Sequence, residues 1–303
     1  MFFRAGRAAC QAWFNFRCNA ILRTPAIVTG EDSATLVSMV CHGDVLMYLL
    51  AVKSFCRRIG RTPAVVVLDD GSLTAEDHAT ISRHLTGARM ISIGTISTRG
   101  FPKGNCWERL LLISELVEDT YVIQLDCDTL TLAPIAEVAD CLLANRSFTL
   151  LGDRSYPHIE TMREACVRLR SSTSLQVQAV CERSFDRLPV SDGLYYLRGN
   201  AGFTGFAKGS IDRHRVRWFS DLMRGLARDQ WDEWGSEQLT SNLLIANSAR
   251  AYLLDARKYL SYWAHPDVDY ERAAFLHFIG PHRYAHGLYQ RHAKLVIAAL
   301  DEK

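Results

Sequence analysis

From about residue 34 the hydrophobic and polar positions fall into alternating strand-like and helix-like stretches. Ala34–Cys41 is a short apolar run of the kind that forms a buried strand, and Asp44–Arg58 reads as a helix with Asp44 as its N-cap. Pro63–Leu68 is a second strand, closed by the turn residues Asp69, Asp70 and Gly71. Thr74–Leu85 reads as helix, Arg89–Ile93 as a short strand, Asn105–Val117 as helix and Tyr121–Leu125 as another buried strand. Strand and helix repeating in this way predict an α/β protein: three layers, α/β/α, with a mostly parallel central sheet.

The second half is less regular. Phe148–Gly152 reads as a strand, and Ser155–Val190 as helical and polar in its middle, with a Ser/Thr patch at 171–174. Leu194–Ala207 carries Tyr195 and Tyr196, then the run Asn200, Ala201, Gly202, Phe203, Thr204, Gly205, Phe206. Ile211–Arg228 is a basic amphipathic helix, and Ser236–Ala246 a further helix with Ser236 as N-cap. Ala273–Leu276 is a short apolar strand that leads into His277 and Arg283. With no internal repeat and no long linker, residues 31–303 read as one domain behind an N-terminal segment, 1–30.

Composition narrows the function. The chain has 303 residues, 48% of them hydrophobic, enough to bury a substantial core. A net charge of +2 and a pI near 8.1 are too mild for nucleic-acid binding by bulk electrostatics. The nine cysteines are odd in number and scattered, with no Cys-x-x-Cys pair, as expected of reduced thiols in a cytoplasmic protein. No apolar run reaches the roughly 18 residues of a membrane-spanning helix. Residues 1–24 stand apart: Arg4, Arg7, Arg17 and Arg23 are interleaved with Phe2, Phe3, Trp13, Phe14 and Phe16, and no acidic residue precedes Glu31. Such a segment suits peripheral contact with an anionic membrane surface, packing as a helix on the domain, or a disordered leader.

The Tyr121–Leu125 strand ends in Asp126, Cys127 and Asp128. In an extended backbone residues i and i+2 point to one side, so the two carboxylates converge beyond the strand's carboxyl end, where open α/β sheets bind ligands. Converging anions repel unless a cation sits between them, and a divalent metal with open positions suits a diphosphate. An Asp-x-Asp pair alone is a weak signal, since solvated turns share it. No glycine-rich phosphate loop follows the first strand, which runs into Cys41, His42, Gly43 and Asp44. Metal and side chains are left to hold phosphate.

Taken in order, these pieces resemble the glycogenin-type retaining glycosyltransferases, family 8, which have a GT-A fold; the resemblance runs over about residues 35–285. It matches Asp44 or its neighbour His42 to a contact with the nucleotide base, and Arg109 to the family's arginine on the helix before the metal strand. Asp126 and Asp128 match its Asp-x-Asp, and Asn200, Ala201 and Gly202 its Asn-Ala-Gly strand. Glu237 and Gln238, with Asn242 four residues on, match its acidic-Gln pair. His277, Gly280 and Arg283 match its His-x-x-Gly-x-x-Lys. The resemblance implies a metal held by Asp126, Asp128 and His277, and the mixed oxygen and nitrogen ligands favour Mn2+ over Mg2+. It implies that Gly280 lets backbone approach phosphate, that Arg283 and Arg109 neutralise the diphosphate, and that Glu237 touches the donor sugar with Gln238 near the reacting carbon. Asp153 falls where the family often has an Asp near the sugar. Two positions depart from the pattern: Glu237 stands for an Asp, one methylene shorter, and Arg283 for a Lys.

The activity so implied is transfer of a sugar from a UDP-sugar to a hydroxyl of an acceptor glycan, with retained configuration. Trp231, Trp234, Tyr262 and Trp263 could stack on acceptor sugar rings, with core packing the default for at least two of them. The alternatives are a metal-dependent nucleotidyltransferase that makes a nucleotide sugar, and a non-catalytic nucleotide-sugar-binding relative.

Overall fold

Ala34–Val40 and Ala64–Asp69 are built almost wholly from apolar and β-branched residues, and they pair in parallel from Thr35 opposite Ala64 to Val40 opposite Asp69. Such near-continuous apolar runs mark strands covered on both faces. The computed structural model, which describes residues 2–30, 34–153 and 156–302, is a mixed α/β structure with mostly parallel pairing among these strands. Its chain divides into two compact units: Met1–Ile93, Gln124–Ala139 and Arg257–Lys303 make the first, Gly94–Ile123 and Asp140–Ala256 the second.

In the first unit, Arg89–Ser92 pairs in parallel with the far side of Ala64–Asp69, and the end of the Tyr121–Leu125 strand lies beside Ala34–Val40. Helices Val45–Ile59 and Ala75–His84 carry the chain between strands. Ala75–His84 opens on a capping box, in which Thr74 and Asp77 satisfy each other's backbone N–H. A small second sheet sets the site. Thr129–Thr131 pairs antiparallel with Phe275–His277, which pairs in parallel with Tyr259–Ser261.

The basic, aromatic N-terminal segment is a helix, Phe2–Cys18, followed by a 3-10 turn, Asn19–Arg23. Phe14, Cys18 and Ile21 are buried, and the Phe14 ring lies 4.3 Å from that of Tyr289 on the C-terminal helix Leu288–Asp301. The segment therefore packs on its unit along one face, while Trp13 and Phe16 stay exposed on another. Among the described residues no helix is long and apolar enough to cross a membrane, and all nine cysteines are free thiols.

In the second unit, Gly199–Phe206 runs antiparallel to Phe148–Leu151, and Tyr252–Leu253 pairs in parallel on the far side of Phe148–Leu151. Helices Trp107–Leu116, Arg213–Ala227 and Ser236–Ala246 complete it. The stretch expected to be helical over 155–190 is broken up. Glu160–Thr161 is a short strand against Tyr195–Tyr196, and among the described residues only Met162–Leu169 and Val177–Glu182 are α-helix there, Ser155 lying outside them. The Ser/Thr patch is the cause: the Ser172 and Ser174 hydroxyls accept from the backbone N–H two residues on, offering the chain an alternative to helix. Of the two helix caps read from the sequence, Asp44 stands at its expected position and Ser236 does not. Gly235, at φ +106°, caps Ser236–Ala246, and the Ser236 hydroxyl turns instead to the Glu233 carbonyl and the Trp107 indole. Asp44 occupies the N-cap position of Val45–Ile59 but makes no side-chain cap. Its carboxylate is used elsewhere.

Candidate active site

The register of the small sheet brings the metal-type ligands together. His277 stands opposite Thr129, and the Phe278 N–H donates to the Asp128 carbonyl at 2.8 Å. The imidazole is thereby delivered beside residues far earlier in the chain. His277 Nε2 lies 3.2 Å from Asp128 Oδ1 and 3.7 Å from Asp126 Oδ2. One donor atom from each of the three lies within 4.8 Å of the others. The chemistry of the set, two hard carboxylate oxygens and one imidazole, fits a divalent cation.

Arg283 closes the cluster. The turn Gly280–His282 bends the chain, with Gly280 at φ +43°, a left-handed conformation that costs a Cβ-bearing residue strain. Arg283 then reaches back, donating from Nε to the Phe278 carbonyl at 3.2 Å and from its terminal nitrogens toward Asp128 Oδ2 at 2.6 Å and Asp44 Oδ1 at 3.8 Å. Burial opposes every charge here, yet the charges outweigh it. Desolvation would lift the Asp128 carboxyl, but His277 and Arg283 hold it well below the usual carboxylate range. Burial would lower His277, but Asp128 and Asp126 raise it above an ordinary histidine. Arg283 is likewise raised, by Asp128 and Asp44 against its desolvation.

Two residues that sequence reasoning missed hold Asp44 in place. Gln11 on the N-terminal helix donates to Asp44 Oδ1 at 2.9 Å and to the Gly43 carbonyl at 2.8 Å, and Asn15 reaches the same carbonyl at 3.4 Å. A polar residue on a helix carries no local sign of such a role. His42 pairs with Asp77: its Nδ1 lies 2.6 Å from that carboxylate, which raises its pKa, and the ring is exposed.

The second unit gathers another set of the expected residues at the start of Ser236–Ala246. Trp107 donates to Ser236 at 2.9 Å, Arg109 lies 3.7 Å from Glu237, and the Ala201 N–H donates to Gln238 Oε1 at 3.4 Å. Each of three successive residues is thus engaged by a different neighbour. Beside Ala201, register against Phe148–Leu151 shifts between Asn200 and Thr204, an irregularity of the β-bulge kind. Asn200 turns its own side chain onto the Gly202 N–H at 2.8 Å. Asn242 donates to the Gly199 carbonyl at 3.2 Å and so pins the same strand. Asp153 follows the Phe148–Leu151 strand and contributes to raising the pKa of Arg198, which burial opposes. Of the four aromatic candidates, Trp231 and Tyr262 are core residues, whereas Trp234 and Trp263 are 67% and 47% exposed.

This is the fold of glycosyltransferases of known structure. The chain superimposes on the galactosyltransferase LgtC, solved with donor and acceptor sugar analogs, with a TM-score of 0.55 over 88% of this chain and 95% of that one, at 16% identity. The bifunctional glycosyltransferase WbbM gives a TM-score of 0.54 at 13% identity, covering 90% of this chain and 51% of WbbM. The apo form of the glycosyltransferase GlyE from Streptococcus pneumoniae TIGR4 gives 0.51 at 12% identity, covering 88% of this chain and 62% of GlyE. By sequence, no family model and no curated protein matches.

Proposed function

We propose that the protein is a retaining glycosyltransferase that moves a sugar from a UDP-sugar to a hydroxyl of an acceptor glycan. The observation that carries this is the meeting of Asp126, Asp128 and His277, with Arg283 beside them, in a chain with a glycosyltransferase fold. Asp126, Asp128 and His277 would hold a divalent ion, Mn2+ by its tolerance of nitrogen alongside oxygen, and a bound ion supplies Lewis-acid charge at the diphosphate.

The side chains have separate tasks. Arg283, half-buried and positive at any working pH, carries fixed charge for the diphosphate, and charge stabilisation of this kind usually supplies the largest part of a rate gain. Gly280 allows the backbone turn that aims Arg283, and Asp44 steadies the guanidinium while serving the base, with His42 as its neighbour. Glu237, its carboxylate matched by Arg109, takes the donor sugar's hydroxyls, and Gln238 faces the reacting carbon. Asn200, Ala201 and Asp153 complete the sugar contacts. LgtC was solved with donor and acceptor sugar analogs, which supports a nucleotide sugar and an acceptor sugar as the substrates here.

UDP release with Mn2+ across UDP-glucose, UDP-galactose and GDP-mannose, with and without acceptor glycans, tests the proposal. Turnover of a UDP-sugar that EDTA abolishes is the expected result. No hydrolysis or transfer from any nucleotide sugar overturns it, and pyrophosphate release from UTP and a sugar 1-phosphate would point to nucleotidyl transfer instead.

A further inference from the structure

The helix Val177–Glu182, in the stretch without a sequence motif, carries two buried polar side chains. Gln178 and Glu182 are four residues apart and share a face. Glu182 is fully buried; Arg198 lies 3.5 Å from its Oε2, and the buried Tyr196 hydroxyl donates to its Oε1. Gln178 Nε2 donates to Glu182 Oε1 at 3.2 Å and to the Tyr196 hydroxyl at 2.9 Å. On its other side Gln178 Oε1 accepts from Gln238 Nε2 at 3.2 Å, and Gln238 Oε1 accepts from the Ala201 N–H at 3.4 Å.

An amide's two ends are alike in size and opposite in chemistry, so its orientation is set by what its neighbours demand. Tyr196 has one hydroxyl hydrogen, and it is committed to Glu182; its oxygen can only accept from Gln178. Glu182 Oε1 also accepts. Both neighbours therefore require the NH2 of Gln178, which turns the Gln178 oxygen toward Gln238. That oxygen requires a donor, so Gln238 presents its NH2 there and its carbonyl oxygen to Ala201. Reversing Gln238 would set oxygen against oxygen and N–H against N–H. One buried carboxylate thus fixes the direction of every hydrogen bond in the row.

We propose that Glu182, acting through Tyr196 and Gln178, sets the polarity of the Gln238 amide, so that an electron-rich oxygen and not an NH2 lies on the Ala201 side. The proposal rests on the sugar-transfer function above, which places the donor sugar at Ala201 and Gln238. Gln238 is only half-buried, so its amide keeps an open face. A carbonyl dipole stabilises positive charge that grows on the anomeric carbon as its bond to the leaving phosphate breaks, and the reversed amide would oppose it. Glu182, Tyr196 and Gln178 are positioning residues.

The test is steady-state kinetics of the full chain with Mn2+ and its UDP-sugar, for Glu182→Gln and Gln178→Met, each alone and combined with Gln238→Ala. Each single change should lower kcat about tenfold, the effect of one misdirected hydrogen bond, with donor KM within about twofold. On the Gln238→Ala background neither change should lower kcat further, because the group they orient is gone. Should Glu182→Gln not fold, Gln178→Met carries the test; Tyr196→Phe, which leaves Glu182 Oε1 to hold the Gln178 NH2, should lower kcat by less. Unchanged kcat in the singles, or an equal drop on the Gln238→Ala background, overturns the proposal and leaves a packing role. A wild-type chain that turns over no nucleotide sugar refutes the sugar-transfer function itself, and this role with it.

Discussion

Asp128 is the residue on which two roles converge. Its buried carboxylate offers a ligand oxygen beside the buried His277 and also receives Arg283 at 2.6 Å. Replacing it by Asn takes the nearest anion from the buried His277 and the half-buried Arg283, and loss of one partner of a buried pair costs about 3–5 kcal/mol in protein interiors. Asp128→Asn should therefore lower the thermal midpoint in EDTA and cut Mn2+-dependent UDP release at least about a hundredfold. Wild-type activity in that variant would remove Asp128 from the site. Arg283 gives a finer test. Its guanidinium meets Asp128 and Asp44 from two separate nitrogens, a fixed fork that the compact ammonium of lysine does not reproduce. Arg283→Lys should retain charge but raise donor KM about tenfold, measured by initial rates against UDP-sugar concentration. Asp126 and Asp128 were legible in the sequence as a carboxylate pair closing a buried strand, although the strand stops at Leu125 and the chain turns at Cys127 and Asp128 instead of staying extended. Gln11, Gln178 and Glu182 were not, since nothing local distinguishes a helix residue that faces a polar partner from one that faces water.

Among the elements, strands were read more accurately than irregular helices. Ala34–Val40, Ala64–Asp69 and Tyr121–Leu125 lie within a residue or so of their expected bounds, because an unbroken apolar run leaves few alternatives to a buried strand. The 155–190 stretch failed because capping by Thr161 with Glu164 starts one helix and serine hydroxyls at 172 and 174 end the pattern. Gly199–Phe206 was legible by its motif, but the register shift between Asn200 and Thr204 depends on a partner strand. A consequence can be tested at Gly205, which faces Phe148 in that pairing. A Cβ there would overlap the Phe148 ring and the Tyr121 hydroxyl. Gly205→Ala should destabilise the protein by about 2–3 kcal/mol through overpacking, read as a lowered urea midpoint. A variant as stable as wild type would show that this strand pair gives way.

For the chain taken as a folded body, the first unit holds a buried lysine whose partners predict its acid sensitivity. Lys53 donates to the Thr24 hydroxyl at 2.8 Å, the Pro25 carbonyl at 2.6 Å and His84 Nδ1 at 3.0 Å. Burial, then the neighbouring Lys53 charge, pushes His84 down to about 4, and burial pushes Lys53 down to about 8. Between the unfolded histidine value of about 6.5 and the folded one the unfolded chain binds more protons. Stability from this pair is thus intact at neutral pH and falls as pH drops from about 6.5 toward 4. Urea midpoints at pH 7 and pH 4.5 should show the loss, and His84→Gln should remove its share of the slope. By the same sign, Lys53 adds stability as pH rises from about 8 to 10.5.

The sequence by itself determined the α/β class, the strand that ends in paired aspartates, and the residue types an ion and a diphosphate need. Each of these depends on residues adjacent in the chain, or on a period that local backbone geometry imposes. Only the tertiary structure decided that His277 stands opposite Thr129, that Arg283 crosses 155 residues to reach Asp128, and that Glu182 orients Gln178 toward Gln238. Strand register and hydrogen-bond direction are properties of a pair, and neither partner carries them alone.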